Sequence, residues 1–196
     1  MWPESGRHKA RSYGFEIDLL MTVSPDRENE TLAGSAAERG YEPGIGKKRL
    51  RALLVSSGGG HWVQLNRLAP AFSSMDTVFV TVNEAYRSDV AGYRFHRVVD
   101  ATRWNKLKLM WMATQIFWIV LRERPTVVVS TGAAPGAFAL MFGRLLKRRT
   151  IWVDSIANVE KLSMSGDKAR RFADLHLTQW EHLAVPGETD FVGAVV

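Results

Sequence analysis

The feature that most constrains this chain is a short apolar run cut off by three consecutive glycines and followed at once by helical spacing. Ala52-Leu53-Leu54-Val55 reads as a buried strand, because the run is short, continuous and apolar. Ser56-Ser57-Gly58-Gly59-Gly60-His61 then interrupts it. Beyond the interruption, Val63, Leu65, Leu68 and Phe72 recur at helical spacing, with Pro70 near the end. A strand that turns sharply through glycine into a helix belongs to an α/β unit rather than to an all-helical or all-strand fold.

The same alternation continues. Residues 77–82 are rich in β-branched side chains and strand-like, and residues 93–99 predict a shorter strand. Residues 106–122 predict a helix that stops before Pro125. Thr126-Val127-Val128-Val129-Ser130 is the clearest strand in the chain. A helix over 137–148, a strand over 150–153, a short helix over 165–173 and a last strand over 175–179 complete the series. This pattern predicts a Rossmann-like parallel sheet with helices on both faces. Ligands of such sheets bind at the carboxyl ends of the strands.

Residues 1–46 are rich in Glu, Arg, Ser, Gly and Pro without sustained period, and are expected to be a mostly disordered leader ending at Gly44-Ile45-Gly46. The folded lobe is placed at residues 47–184, and residues 185–196 form a C-terminal tail. Met21 is a candidate start, since the segment before it is unlike a domain. No signal peptide is apparent, because the apolar stretch near residues 17–23 is short and broken by Asp18. Cysteine is absent, which excludes disulfides and thiolate metal sites and suits a reducing compartment. Residues 1–48 carry 7 Lys/Arg against 8 Asp/Glu, whereas residues 49–196 carry 19 against 12. The basic excess therefore belongs to the folded part, and suits phosphate groups or an anionic membrane face as well as a merely solvated surface.

Three loops after strands could carry chemistry. In the first, Ser57, Gly58, Gly59 and Gly60 let the backbone approach a ligand, and the helix behind offers free N–H groups suited to a phosphate. The competing reading is a tight turn. His61 is the first-choice general base, since a free imidazole titrates near neutrality; its alternative role is capping or bracing the loop. A dinucleotide fingerprint would need Gly or Ala at Val63, and no Gly-Lys-Ser/Thr follows for a P-loop. Glu84 alone keeps a nicotinamide reading open. The second loop, Ser130-Thr131-Gly132-Ala133-Ala134-Pro135-Gly136, makes Thr131, Gly132, Ala133 and Gly136 candidate substrate contacts, with Pro135 placed to open a helix. In the third, Asp154 and Glu160 are second-choice acids or bases and Asn158 a candidate substrate contact; capping and solvated surface are the alternative. No Asp-x-Asp pair and no metal-ligand spacing occurs, so neither a metal nor a cofactor is expected.

Residues 109–121 are apolar nearly all round, yet as a helix they would be only about 20 Å long against a hydrocarbon core of about 30 Å. The stretch is too short to span a bilayer. Trp111 and Trp118, with flanking Lys106, Lys108, Arg122 and Arg124, point to an interfacial membrane helix; burial between the sheet and a partner is the alternative.

The run of residues 56–61, the loop 130–136, the segment from Asp154 to Gly166 and Thr178-Gln179-Trp180-Glu181, in that order, resemble bacterial PssD-type exopolysaccharide glycosyltransferase subunits. These are similar to the eukaryotic membrane-anchoring subunit of the UDP-GlcNAc transferase of lipid-linked oligosaccharide synthesis. The resemblance covers about residues 49–196. It implies the N-terminal half of a split GT-B enzyme, which meets a lipid-linked saccharide acceptor and the cytoplasmic face of the plasma membrane. A separate small protein would supply the carboxy-terminal GT-B lobe and most UDP-sugar contacts, and residues 185–196 would dock on it. Glucuronic acid is the donor sugar that the PssD-type resemblance suggests. His61 would deprotonate the acceptor hydroxyl, and nucleic acid is not an expected partner. The relatives' extended transmembrane segment before the first strand is not matched here, which shifts membrane attachment to residues 106–124. The rival functions are a non-catalytic anchor that recruits a complete enzyme, and a nucleotide-cofactor oxidoreductase, which the missing third glycine disfavours.

Overall fold

A computed structural model describes residues 50–102 and 104–195. The leader expected over residues 1–46 and the start at Met21 lie outside the described residues.

Seven strands form one parallel sheet in the order β3-β2-β1-β4-β5-β6-β7. They are β1 Arg51–Val55, β2 Asp76–Thr81, β3 Arg94–Arg97, β4 Val127–Ser130, β5 Arg149–Val153, β6 Leu175–Thr178 and β7 Asp190–Phe191. The helices are α1 Gly60–Leu68, α2 Lys106–Glu123, α3 Ala133–Leu145 and α4 Met164–Ala169, with short 3-10 segments at Ala69–Phe72, Glu84–Val90 and Glu181–Leu183. This is the expected Rossmann-like architecture.

The continuous apolar character of β1 follows from burial on both faces. Leu53 and Val55 point into a core with Met112, Ile116 and Val120 of α2, Leu140 of α3 and Trp152. Ala52 and Leu54 point the other way, toward Trp62 and Leu65 of α1, Phe79 and Val129. Met112, Ile116 and Val120 recur every four residues, so α2 presents one stripe to the sheet. Its other faces carry the expected tryptophans outward.

Three differences from the sequence expectations have local causes. Helix α3 starts at Ala133 rather than 137, because the backbone turns into it directly at Gly132 and seats Pro135 in its first turn. It ends at Leu145, beyond which Lys147 adopts a left-handed conformation at φ 56°. The short helix begins at Met164, where the Ser163 hydroxyl accepts from the Gly166 N–H and caps it. The third difference lies in the tail: Asp190–Phe191 adds a seventh strand beside β6, which so short and uneven a stretch does not announce.

Strand β1 leads to α1 on one face, while β4 leads to α3 on the other. The strand order therefore reverses between β1 and β4, and a crevice at their carboxyl ends is the ligand position of open α/β sheets. The glycine turn and the Thr131 loop stand on the two sides of that point.

Candidate functional site

The two loops are joined by a reciprocal pair of hydrogen bonds. His61 Nδ1 lies 2.9 Å from the Thr131 carbonyl oxygen, and the Thr131 hydroxyl donates to the His61 carbonyl at 2.7 Å. A carbonyl only accepts, so Nδ1 carries a proton, and in the neutral ring the lone pair falls on Nε2. Both roles foreseen for His61 are thus compatible in one ring. It braces the loops with one nitrogen, and the other has no partner among the described residues.

Gly132 is required beside it. Its φ is +148°, and a Cβ there would sit 2.3 Å from His61 Nδ1 and Cε1. Ala133 follows at φ +64°, a left-handed conformation rare for a residue with a side chain. Two consecutive residues in that region mark a loop held in place by its surroundings.

The glycine turn is held from a segment that sequence reasoning passed over. Gly59, at φ +63°, donates its N–H to the Tyr86 hydroxyl at 2.9 Å. The Tyr86 ring stacks on Trp62 with centroids 4.9 Å apart, and Trp62 Nε1 donates to Asp89 at 2.8 Å. The Ser57 carbonyl accepts from Thr81 at 2.9 Å. The Gly60 and His61 N–H groups have no partner among the described residues and open at the start of α1. Tyr86 and Asp89 lie in a 3-10 segment with no periodic signal, so nothing in the sequence ties them to the turn.

Asp154, expected as an acid or base, is almost fully buried. Its carboxylate accepts from Trp152 Nε1, Asn158 Nδ2, the Ser163 N–H and the Ser163 hydroxyl, at 3.1, 3.1, 2.9 and 2.6 Å. These four donors make Asp154 the organiser of its loop. They also engage Asn158, the other candidate in that stretch. Glu160 is exposed in the same loop and accepts no bond among the described residues. Gly136 is buried: a Cβ there would lie 1.8 Å from the Ser130 hydroxyl, so it allows α3 to close onto β4 rather than lining open space. The site thus gathers Ser57, Gly58, Gly59, Gly60, His61, Thr131, Gly132 and Ala133 at one point, and sets Asp154 and Gly136 beneath the surface.

Two buried amides link the site to the tail. Gln179 donates to the Asp154 carbonyl at 2.9 Å and to Gln64 Oε1 at 3.3 Å, and its oxygen accepts from the Val195 N–H at 2.7 Å. Gln64 donates in turn to Ser155 at 3.3 Å. His176 is also buried. Desolvation pushes its pKa below the ordinary value, against the Gly166 carbonyl that its Nε2 faces at 3.1 Å; its Nδ1 lies 3.1 Å from the Thr189 hydroxyl. No group of metal-ligating side chains occurs among the described residues.

On α2, Trp111 and Trp118 are 58% and 61% exposed, with Leu107 and Met110 beside them. Among the described residues no helix is long and apolar enough to cross a membrane.

A parallel sheet of this order, with its crevice between two small-residue loops, is the class of Rossmann-like lobe found in two-lobed GT-B glycosyltransferases. The structure of MurG from Acinetobacter baumannii superposes with a TM-score of 0.62 at 10% identity, over 72% of this chain and 45% of that one. The family described as "Oligosaccharide biosynthesis protein Alg14 like" matches residues 81–195, and the chain belongs to that family. Among curated relatives, the UDP-N-acetylglucosamine transferase subunit ALG14 of Yarrowia lipolytica is 39% identical over 72 residues, 34% of this chain and 33% of that one. The mouse protein of the same name is 26% identical over 176 residues, 70% of this chain and 78% of that one. The chain thus spans a third of the Yarrowia relative and under half of MurG.

Proposed function

We propose that this chain is the acceptor-side, membrane-associating subunit of a two-chain UDP-sugar-dependent glycosyltransferase acting on a polyprenyl-diphosphate-linked saccharide. The observation that carries the reading is the His61–Thr131 pair across the strand switch point, which leaves Nε2 free at the mouth of a crevice walled by small residues. Family membership supports it, because the curated relatives are named as subunits of a transferase. So does the fold, which superposes on that of MurG with a TM-score of 0.62.

In this mechanism His61 Nε2 takes the proton of the acceptor hydroxyl. The acceptor oxygen then forms a bond to the anomeric carbon of the donor as the bond to UDP breaks, and UDP leaves with the electron pair. The open N–H groups of Gly60 and His61 face the phosphates that approach the start of α1. A small partner chain of the carboxy-terminal GT-B type holds the UDP-sugar and docks against residues 185–196. The complex sits on the cytoplasmic face of the plasma membrane and serves exopolysaccharide synthesis. Glucuronic acid, from the PssD-type resemblance, and N-acetylglucosamine, from the names of the curated relatives, are the two donors to compare.

The test is reconstitution. The chain alone should be inactive with UDP-sugar and lipid-linked acceptor, and activity should appear on adding the partner; full activity of the isolated chain would refute the split. The exposed tryptophans of α2 favour one second reading, a non-catalytic anchor. In that case Gly59→Val would leave turnover intact, while losing Trp111 and Trp118 would release the partner from membranes.

A further inference from the structure

At the end of the lobe opposite the crevice, the turn from α3 into β5 encloses a surface cavity of about 280 Å³ lined by Arg144, Lys147, Arg148, Arg149 and Asp174. Four cations face one carboxylate. That carboxylate is already engaged, since Asp174 accepts from the Thr150 N–H and hydroxyl at 3.0 and 3.1 Å and pairs with Arg144.

Cations at a helix C-terminus often serve only to offset the helix dipole. Here the backbone already does that work. The Phe142, Gly143 and Arg144 carbonyls accept from the N–H groups of Leu146, Arg148 and Lys147, at 3.0, 2.8 and 3.0 Å. Arg148 Nε is buried yet has no hydrogen-bond partner. A buried guanidinium N–H left unpaired is costly, and a turn of the Arg148 side chain, which lines the cavity, would let a negatively charged oxygen there satisfy it.

The cavity adjoins apolar surface. Leu145, on the same turn as Arg144, is 68% exposed. One turn back, Phe142 packs on Phe117 of α2 with centroids 5.3 Å apart, and Phe117 packs on Trp118 at 5.8 Å. Cations beside exposed tryptophan and leucine match a surface of lipid tails and anionic headgroups.

We propose that this cavity binds the phosphate of an anionic membrane lipid, so that α2 lies along the bilayer surface while residues 144–149 hold a headgroup. The inference rests on the membrane-associated reading above. A helix of 18 residues lying in that plane brings the crevice end of the lobe, at Lys106, to the same membrane level as the cavity end at Arg122.

The full chain is tested by sedimentation with vesicles of phosphatidylcholine alone, and of phosphatidylcholine mixed with phosphatidylglycerol. The double variant Lys147→Asn, Arg148→Gln should lose about fivefold in affinity for the mixed vesicles per cation removed, and nothing for phosphatidylcholine. Arg67→Gln with Arg97→Gln, two exposed cations outside the cavity, should lose less. Equal losses in the two double variants would overturn the pocket in favour of diffuse attraction. The Arg148 Nε–H resonance of the unaltered chain supplies a readout that needs no variant: short-chain phosphatidylglycerol should shift it at lower concentration than inorganic phosphate does. Equal response to inorganic phosphate would make this a site for free anions and overturn the lipid assignment. Binding to neither vesicle defeats the membrane reading itself, whereas equal binding to both leaves that reading intact and removes only the pocket.

Discussion

His61 and Thr131 exchange hydrogen bonds across the point where the sheet changes direction, ring to carbonyl at 2.9 Å and hydroxyl to carbonyl at 2.7 Å. The pairing fixes the imidazole tautomer and aims the free nitrogen with a residue of the other loop. If His61 is the base of the proposed two-chain enzyme, His61→Ala should lower kcat by about 10²–10⁴-fold while the complex still assembles. Thr131→Val should cost about 1 kcal/mol in stability and a smaller factor in turnover. Steady-state kinetics with a thermal melt reads both, and unchanged turnover in His61→Ala would remove the base from the mechanism.

Gly132→Ala attacks the same contact from the backbone side. The added Cβ would overlap the His61 ring, and φ +148° is strained for any side chain. Relief requires the ring to swing off the Thr131 carbonyl, so the variant should lose about 1–3 kcal/mol and should lose turnover nearly as His61→Ala does. Gly59→Ala is a fair contrast, since open space surrounds its Cβ and only φ +63° is strained. It should cost stability more than turnover if Tyr86 still holds the turn.

The strands were legible because apolar runs bounded by glycine or proline leave little choice, as β1 and β4 show. The loops after them could be ranked by small residues alone. What sequence could not give was occupancy. Asp154 is as short, polar and loop-borne as a catalytic acid, and only the fold reveals four donors closing around it. Gly136 resembled Gly132 until the approach of Ser130 separated a packing glycine from one that borders His61. Tyr86 and Gln64 were missed, and Gln179 entered only within the Thr178–Glu181 motif, because they act across long chain separations through single side chains. The outward tryptophans of α2 were readable, since its buried stripe holds Met112, Ile116 and Val120 and leaves Trp111 and Trp118 on other faces.

Asp154 is therefore expected to matter through structure. Asp154→Asn presents an amide where Ser163, Asn158 and Trp152 all donate, and it should destabilise the fold by on the order of 3 kcal/mol. Hydrogen exchange at the Ser163 amide, which donates to Asp154 at 2.9 Å, should accelerate in parallel. A variant of native stability and protection but abolished turnover would instead return Asp154 to the chemistry.

Stability should fall in two steps on acidification. Burial lowers the His176 pKa below its ordinary 6.5, so the unfolded chain takes up a proton there before the folded chain does. Its contribution is complete above pH 6.5 and is lost as pH falls below that value. Asp76 acts lower. Burial alone would raise its pKa, but hydrogen bonds and charge from Arg51 and Arg94 outweigh it and hold the carboxyl below 3.8. Its contribution is present above 3.8 and is lost as pH falls beneath it. Urea midpoints across pH should show both, and His176→Gln should abolish the upper step alone.

Trp111 and Trp118 offer the sharpest separation of membrane contact from partner contact. Each exposes more than half of its side chain on a face that the sheet does not use. Tryptophan buries about 150–250 Å² when fully covered, so sinking the exposed half into an interface contributes about 2 kcal/mol each, or roughly thirtyfold in partitioning. Trp111→Ser and Trp118→Ser should each weaken vesicle binding by about that factor without shifting the melting temperature, because neither side chain belongs to the core. The outcome that would sink membrane contact is unchanged vesicle affinity with loss of the partner chain in co-purification, which would make this face a protein interface.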